Sequence, residues 1–355
     1  MFGKLFGEKK AYFDIRIESH KLALTAPRGK TVLTTALEAG LPFPHDCKVG
    51  SCGSCKCKLL EGKVSELSNK TIALSAEEVQ GNYILACQSI PKTDVRISLN
   101  HLSEAPFHRL QSFKGEIAEV KSLPHDIVEM TVNLEGEIAY TAGQYADIST
   151  AEVGGIRSYS FAAPPLGEAR NALSFHIRHV AGGEFTDWLC AADRAGCEIK
   201  IDGPYGGFYL RPANAPILCI AGGSGMAPLK ALLQEALWEG CAREVVYLYG
   251  ARGQQDLYCL DEMRQLTQDW KSRFHFVPVL SEEPAGSDWS GARGLVTEHI
   301  AAHMTDLARC HAYMCGPPPM IDAAEAVLRQ NGVAAEHIYA DRFLDKRYTS
   351  VASPD

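Results

Sequence analysis

The first chemistry in this 355-residue chain lies in four of its twelve cysteines. Cys47-x4-Cys52-x2-Cys55 forms one tight set, and Cys87 follows after 31 intervening residues. That spacing matches the plant-type pattern for ligation of a 2Fe-2S cluster. Two irons and two sulfides need four thiolates brought together from a tight loop and a remote segment. Gly50, Ser51, Gly53 and Ser54 are small enough to let the loop wrap the group and aim backbone N–H groups at its sulfurs. Zinc is the competing reading, but the usual pair of C-x2-C arms is missing. Cys57 keeps strand register with Cys55 and reads as a bystander. Cys190, Cys197, Cys219, Cys241, Cys259 and Cys310 sit singly among apolar neighbours and read as small buried hydrophobes.

A second constellation is Arg157-Ser158-Tyr159-Ser160, followed by Gly182-Gly183-x-x-Thr186 at a strand-to-helix turn. Such a turn can hold a pyrophosphate. Its glycines allow close backbone approach, the helix N-terminus favours an anion, Arg157 supplies charge and Tyr159 offers a planar ring to pack on a flavin. The third is Ala221-Gly222-Gly223-Ser224-Gly225-Met226-Ala227-Pro228, placed after a strand and opening a helix, where a glycine loop cradles a dinucleotide phosphate. It departs from the GxGxxG spacing, so a tight packing turn is the alternative. Cys315-Gly316-Pro317-Pro318-Pro319-Met320 ends a later strand of the same sheet, so both loops should face one crevice. His176 and His179 are three apart, and strand alternation sends them to opposite faces; both read as structural or surface residues.

These residues need three kinds of scaffold. Over 11–100, YFDIRIES and KLALTAP predict a hairpin, TVLTTALEAG a short helix stopped by Gly40, KCKLLEGKV a strand and VRISL the last strand. The polar stretch HLSEAPFHRLQSF suggests a linker near 101–111. Across 111–210 short strands recur with glycine punctuation, the pattern of an antiparallel barrel. From 215 to about 345 strands alternate with helices, which predicts a parallel sheet covered on both faces. The expected fold class is therefore multidomain, α+β and α/β.

Composition fits this picture. The chain is 46% hydrophobic and 22% charged, with a formal net charge of −8. The acidic balance argues against nucleic acid, which needs a basic face. No apolar run approaches the roughly 20 residues of a membrane span, and no signal peptide is visible, so the expectation is cytoplasmic. The first ten residues, MFGKLFGEKK, mix Phe2, Leu5 and Phe6 with Lys4, Lys9 and Lys10, a pattern able to rest on a membrane or partner; a frayed terminus is the plainer reading.

Taken in order, these blocks resemble the flavin-dependent ferredoxin-reductase family in its form with an N-terminal plant-type ferredoxin fused to FAD and NAD modules. FPHDCKVGSCGSCK, HDIVEM, GQYAD, RSYSFAAPP, DLYCLDE, PVLSEE, CGPPPMIDAAE and YADRF are most similar to the reductase components of xylene-type hydrocarbon monooxygenases. LACQS, FHIR and IYAD are shared with reductases of Rieske dioxygenases. The resemblance implies a β-grasp ferredoxin domain, an FAD-binding barrel and an NAD(H)-binding α/β domain. It also implies that Arg157, Tyr159 and Ser160 meet the phosphate, ring and N5 region of FAD, with Gly182, Gly183 and Thr186 at the pyrophosphate. Gly222, Gly223, Ser224 and Gly225 would serve NADH. Ser160 and Cys315 would stand at the hydride-transfer locus, and Phe343 against the flavin.

The implied reaction passes electrons from NADH through FAD to the cluster and on to a terminal oxygenase. Flavin joins a two-electron donor to a one-electron acceptor. The implied partner is a membrane-bound di-iron hydroxylase, with peripheral contact at the membrane through it, or else a Rieske dioxygenase. A non-catalytic redox sensor is the reading from another class, and a flavin monooxygenase acting directly on substrate is a further one. For the nucleotide, NADH is preferred, although Arg252 follows a strand where a basic side chain could meet a 2′-phosphate.

Overall fold

The computed structural model describes residues 10–344. By contacts it falls into two units, one ending at Leu110 and the other starting at Gln111.

In the first unit, β1 (Tyr12–Ile17) and β2 (Leu22–Pro27) form the expected antiparallel hairpin. Lys21 turns the chain in the left-handed region at φ 53°. Alternation puts Ile15 and Ile17 in the core. Helix α1 (Val32–Glu38) is capped by the Thr31 hydroxyl, which accepts the Thr34 N–H, and stops before Gly40 at φ 80°. Next come β3 (Lys56–Glu61), β4 (Val64–Glu66), α2 (Ala76–Gln80), β5 (Tyr83–Leu85), β6 (Ser89–Pro91) and β7 (Val95–Ser98). The single strand expected over KCKLLEGKV is two. Gly62 sits at φ 90°, and a Cβ there would lie 2.2 Å from the Asp94 carbonyl oxygen, so only glycine makes the turn. β3 therefore joins the main sheet while β4 pairs with β6. The sheet order is β2-β1-β7-β3-β5, with β1 and β7 parallel and the other pairs antiparallel. This is a β-grasp arrangement.

The second unit opens with β8 (Gln111–Ser122), β9 (Ile127–Ile138), β10 (Tyr145–Thr150), β11 (Val153–Ser160), β12 (Arg170–Arg178), α3 (Glu184–Ala191) and β13 (Glu198–Tyr205). The strands are antiparallel in the order β11-β10-β13-β8-β9-β12. A bridge between Phe161 and Phe175 ties the two ends together, curling the sheet into a barrel around Met130, Val132, Ile148, Phe175 and Ile201.

Then follow β14 (Ile217–Gly222), α4 (Met226–Trp238), β15 (Val245–Ala251), α5 (Leu260–Asp269), β16 (Phe274–Leu280), β17 (Ala292–Arg293), α6 (Ile300–His303), β18 (His311–Gly316), α7 (Pro318–Gln330) and β19 (Ile338–Arg342). All are parallel in the order β17-β16-β15-β14-β18-β19. Every residue of β14 is buried. Cys219 and Ala221 face the core built with α4 and α5, while Leu218 and Ile220 face the one built with α6 and α7. Helices on both faces leave the strand ends as the open edge. Ile127, Ala142 and Phe208 of the barrel segment join the first of these cores, so barrel and sheet share apolar packing.

Candidate functional site

The cysteine loop between α1 and β3 has no regular element, and its path is set by positive φ at Lys48, Gly50 and Gly53. A Cβ on Gly50 would collide with Ser68 and Gln88 side-chain atoms at 2.7 and 2.8 Å. The four thiols meet as two hydrogen-bonded pairs, Cys47 with Cys52 and Cys55 with Cys87. The Cys87 N–H points at the Cys55 sulfur at 3.5 Å, and the Gln88 amide reaches Cys87 Sγ at 3.6 Å and the Lys48 carbonyl at 2.8 Å. Backbone groups of Val49 and Ser51 donate to Cys47, and that of Gly50 to Cys87. The Cys52 hydrogen bond, against the opposing effect of burial, pulls the Cys47 thiol down to about 5. An all-thiol set already receiving backbone donors fits an iron–sulfur group. Cys57 is buried on β3, and burial, helped by Cys87, pushes its thiol up to about 12. Of the six scattered cysteines, Cys219 and Cys310 are buried as expected. Cys190 is exposed instead, on the outer side of α3.

On β11, alternation sets Arg157 and Tyr159 on one face. The Tyr159 ring lies 5.8 Å from Phe185 and the Arg157 guanidinium 3.6 Å from the Glu184 carboxylate, so both meet the first turn of α3. Gly182, at φ 78°, has open space where a side chain would be, and Gly183 caps the helix. The helix thus starts with N–H groups directed at an open, glycine-lined turn able to take a phosphate. Thr186 builds this turn: its hydroxyl donates to the Val180 carbonyl at 3.0 Å and accepts the Val180 N–H at 3.2 Å. Asp187 accepts the Gly182 N–H at 3.0 Å and pairs with His179 at 2.8 Å. His176 turns the other way, buried against the Tyr258 ring.

The glycine loop and the Cys315 loop touch, as their placement predicted. Ala221 and Cys315 are register partners on β14 and β18. A Cβ on Gly225 would lie 2.1 Å from the Cys315 carbonyl oxygen, and one on Gly222 would lie 2.7 Å from Met320 Sδ. Gly223, at φ 55°, has the Arg178 guanidinium against its open side, and Ser224 is partly exposed beside it. Cys315 is 0% exposed, and burial holds its thiol well above the ordinary range, so it is a neutral wall of the site. Asp341, its register partner on β19, was not anticipated from the sequence; the Ser160 hydroxyl donates to its carboxylate at 3.2 Å. The Phe343 N–H donates to the Gly316 carbonyl at 2.9 Å. Ser160, Cys315, Asp341 and Phe343 therefore gather where the end of β11 meets the open sheet edge. Arg252 is bound to acids rather than free for a 2′-phosphate, at 2.8 Å from Asp256 and 3.3 Å from Asp126.

Comparison with known proteins matches each region to a family model. The 2Fe-2S iron-sulfur cluster binding domain covers residues 15–92, the oxidoreductase FAD-binding domain 114–209, and the oxidoreductase NAD-binding domain 219–326. The xylene/toluene monooxygenase electron transfer component of Pseudomonas putida is 46% identical over 94% of both chains. The chain belongs to the iron–sulfur flavoprotein reductases of oxygenase systems. This reductase is also 32% identical to the reductase component of the Pseudomonas putida naphthalene 1,2-dioxygenase system, over 93% of this chain and 98% of that one. Among solved structures it is similar to an Amycolatopsis cytochrome P450 reductase, with a TM-score of 0.84 at 30% identity over 93% of this chain and 98% of that one. The ferredoxin reductase in carbazole 1,9a-dioxygenase follows at TM-score 0.75 and 28% identity, covering 94% and 98%. The reductase is an NAD(P)H-dependent oxidoreductase that carries a 2Fe-2S cluster and FAD and serves an oxygenase component. Among the described residues no helix is long and apolar enough to cross a membrane.

Proposed function

We propose that this reductase supplies electrons from NADH to an alkyl-aromatic hydrocarbon monooxygenase of the membrane-bound di-iron type. One observation supports the chemistry above the rest. The 3.2 Å contact of Ser160 with Asp341 brings the edge of the flavin barrel to the strand pair that carries the glycine loop and Cys315. Donor and acceptor can meet only at such a seam. When bound, FAD supplies the exchange between hydride and single electrons, and the 2Fe-2S cluster carries single electrons.

The residues divide the work. Cys47, Cys52, Cys55 and Cys87 are the proposed cluster ligands. Arg157 and the Gly182–Gly183 turn neutralise the FAD pyrophosphate, and Thr186 keeps that turn closed. Tyr159 supports the flavin from one side and Phe343 closes the seam from the other. Gly222 to Gly225 let the NADH backbone approach, because larger side chains would meet Met320, Arg178 or Cys315. Ser160 presents a hydroxyl whose proton is held by Asp341, while Cys315 excludes water at the meeting point. The proposed domains are 11–100, 111–210 and 215–345.

The choice of a xylene-type partner is supported by identity, 46% against 30–33% for the reductases of dioxygenase, phenol, propane and demethylase systems. Membrane contact would come through that partner; the Phe2–Lys9 segment raised for it lies outside the described residues. NADH is the proposed donor, since Arg252 is held by Asp126 and Asp256. The test is reconstitution. NADH-dependent hydroxylation of an alkyl-aromatic should appear with the membrane hydroxylase and the reductase together. Coupling only to a Rieske dioxygenase would overturn the partner, and an unreactive flavin would overturn the reaction.

A further inference from the structure

An ion cluster joins the barrel to the nucleotide sheet directly beneath the glycine loop. His125 and Asp126 come from the turn between β8 and β9, Arg178 ends β12, and Arg252 and Asp256 follow β15. Asp126 Oδ2 lies 3.1 Å from Arg178 Nε and 3.3 Å from Arg252 Nη2. Asp256 Oδ1 lies 2.8 Å from Arg252 Nη2 and 2.7 Å from His125 Nδ1, and its other oxygen accepts the Gly253 N–H at 3.0 Å. His125 is held at φ 58°, a conformation a non-glycine residue adopts only when its surroundings fix it. The three acid and imidazole groups lie close enough to suggest a metal site, but two guanidiniums already neutralise the two carboxylates. A latch explains the composition and a cation does not.

Asp256 has a side chain only 6% exposed, while its partners Arg252 and His125 stay in reach of water at 45% and 37%. Arg178 is the member that reaches the site: its guanidinium carbon and both terminal nitrogens lie 3.2 Å from where a Gly223 side chain would begin. Gly223 is fixed from the other side by the Tyr249 and Tyr258 hydroxyls, which meet its carbonyl at 3.5 and 3.4 Å. Asp126 thus lies between two arginines, ion-paired without an aligned hydrogen bond to Arg178, which lies on the glycine loop, and hydrogen-bonded to Arg252 on the sheet.

We infer that Asp126, acting through Arg178 and Arg252, is a positioning residue for hydride delivery, setting the barrel edge against the glycine loop. The inference rests on the reaction proposed above. Small displacements at such a seam are costly, since misplacing reacting groups by about 1 Å can cost roughly a hundredfold in rate.

The experiment uses the holoenzyme. Asp126→Asn and Arg252→Gln should each slow NADH-driven bleaching of the flavin by about tenfold or more, measured by stopped flow. Both should leave the visible spectrum and bleaching by dithionite unchanged, which a general loss of structure would not. The double variant should be no slower than the slower single, because the two residues act through one contact. Arg252→Lys, which keeps the charge, should recover much of the rate, and it carries the test if Asp126→Asn fails to retain flavin. Bleaching rates within about twofold of wild type, or single effects that multiply in the double variant, would overturn the inference. Wild-type flavin that NADH fails to bleach would instead overturn the proposed reaction.

Discussion

Gly225→Ala probes the seam between the glycine loop and Cys315. The added Cβ would stand 2.1 Å from the Cys315 carbonyl oxygen and 2.6 Å from its carbonyl carbon, where ordinary contact begins at 3.4 Å. Those atoms belong to β18, laddered to β14 on one side and β19 on the other, so they cannot rotate away. The loop must lift by more than an ångström. Overpacking costs about 1–3 kcal/mol, and a clash with laddered backbone belongs at the upper end. About 3 kcal/mol in a unit of this size lowers Tm by roughly 6–12 °C. The sign is diagnostic, because Gly225 has φ −62° and alanine at a compatible backbone normally stabilises by about 0.4–1 kcal/mol. The assays are the thermal midpoint of the flavin-containing unit and the rate of NADH-driven flavin bleaching, expected to fall about a hundredfold. Two companions calibrate the result. Gly222→Ala meets the flexible end of Met320 at 2.7 Å and should cost less; Gly182→Ala has open space and should show only the left-handed strain of about 1–2 kcal/mol. A Gly225→Ala protein as stable and as fast as wild type would refute the seam.

Cys47→Ser or Cys87→Ser should abolish the visible absorption of the 2Fe-2S group and lower bound iron, whereas Cys57→Ser should leave both, as read by spectrum and iron analysis. Asp341→Ala removes the acceptor of the Ser160 hydroxyl; since a hydrogen bond to a charged group is worth about 1.5–3 kcal/mol, kcat should fall about tenfold or more with KM for NADH little changed. Burial, aided by His337, Arg243 and Arg211, pushes His311 down from 6.5 to about 4. The unfolded chain therefore takes up the proton first. The contribution of His311 to stability is whole above about pH 6.5 and is lost as pH falls towards 4. Tm followed over that window should drop less steeply in a His311→Phe protein. Finally, kcat/KM should favour NADH over NADPH; equal values would remove the preference.

Much of the framework was legible because its signals are local. Alternation marked the β1–β2 hairpin, glycine at φ > 0 marked the end of α1, and the shift from short strands to strand–helix alternation marked the change from barrel to parallel sheet. The cysteine spacing was legible for the same reason, since the loop that shapes it is contiguous. What escaped depends on distance along the chain. β5 and β6 are three residues each and β17 is two, too short for any period, and they are strands only because partners elsewhere hold them. Gly62 fell inside the strand expected over KCKLLEGKV, and the Asp94 carbonyl that demands glycine there comes from much later in the chain. Asp341 lies inside YADRF, but that segment gave it no role; it matters because β19 lies beside β18 and its carboxylate accepts from Ser160. Arg252 stood where a basic side chain could meet a phosphate; two of its partners, His125 and Asp126, lie more than 120 residues earlier, while the third, Asp256, is only four residues on. Thr186 shows a different case: it stands at the Gly182–Gly183 turn, and its hydroxyl is spent on holding that turn.

The pairing of β14 with β18 has a consequence for synthesis. Their facing loops are separated by about 90 residues of chain, so the nucleotide seam comes into being only after the sheet has closed over a long intervening segment. The cysteine loop and its remote partner, by contrast, both lie in the unit that ends at Leu110. On a ribosome, where domains fold in the order they emerge, the iron-binding unit can mature while the larger unit that feeds it electrons is still being made.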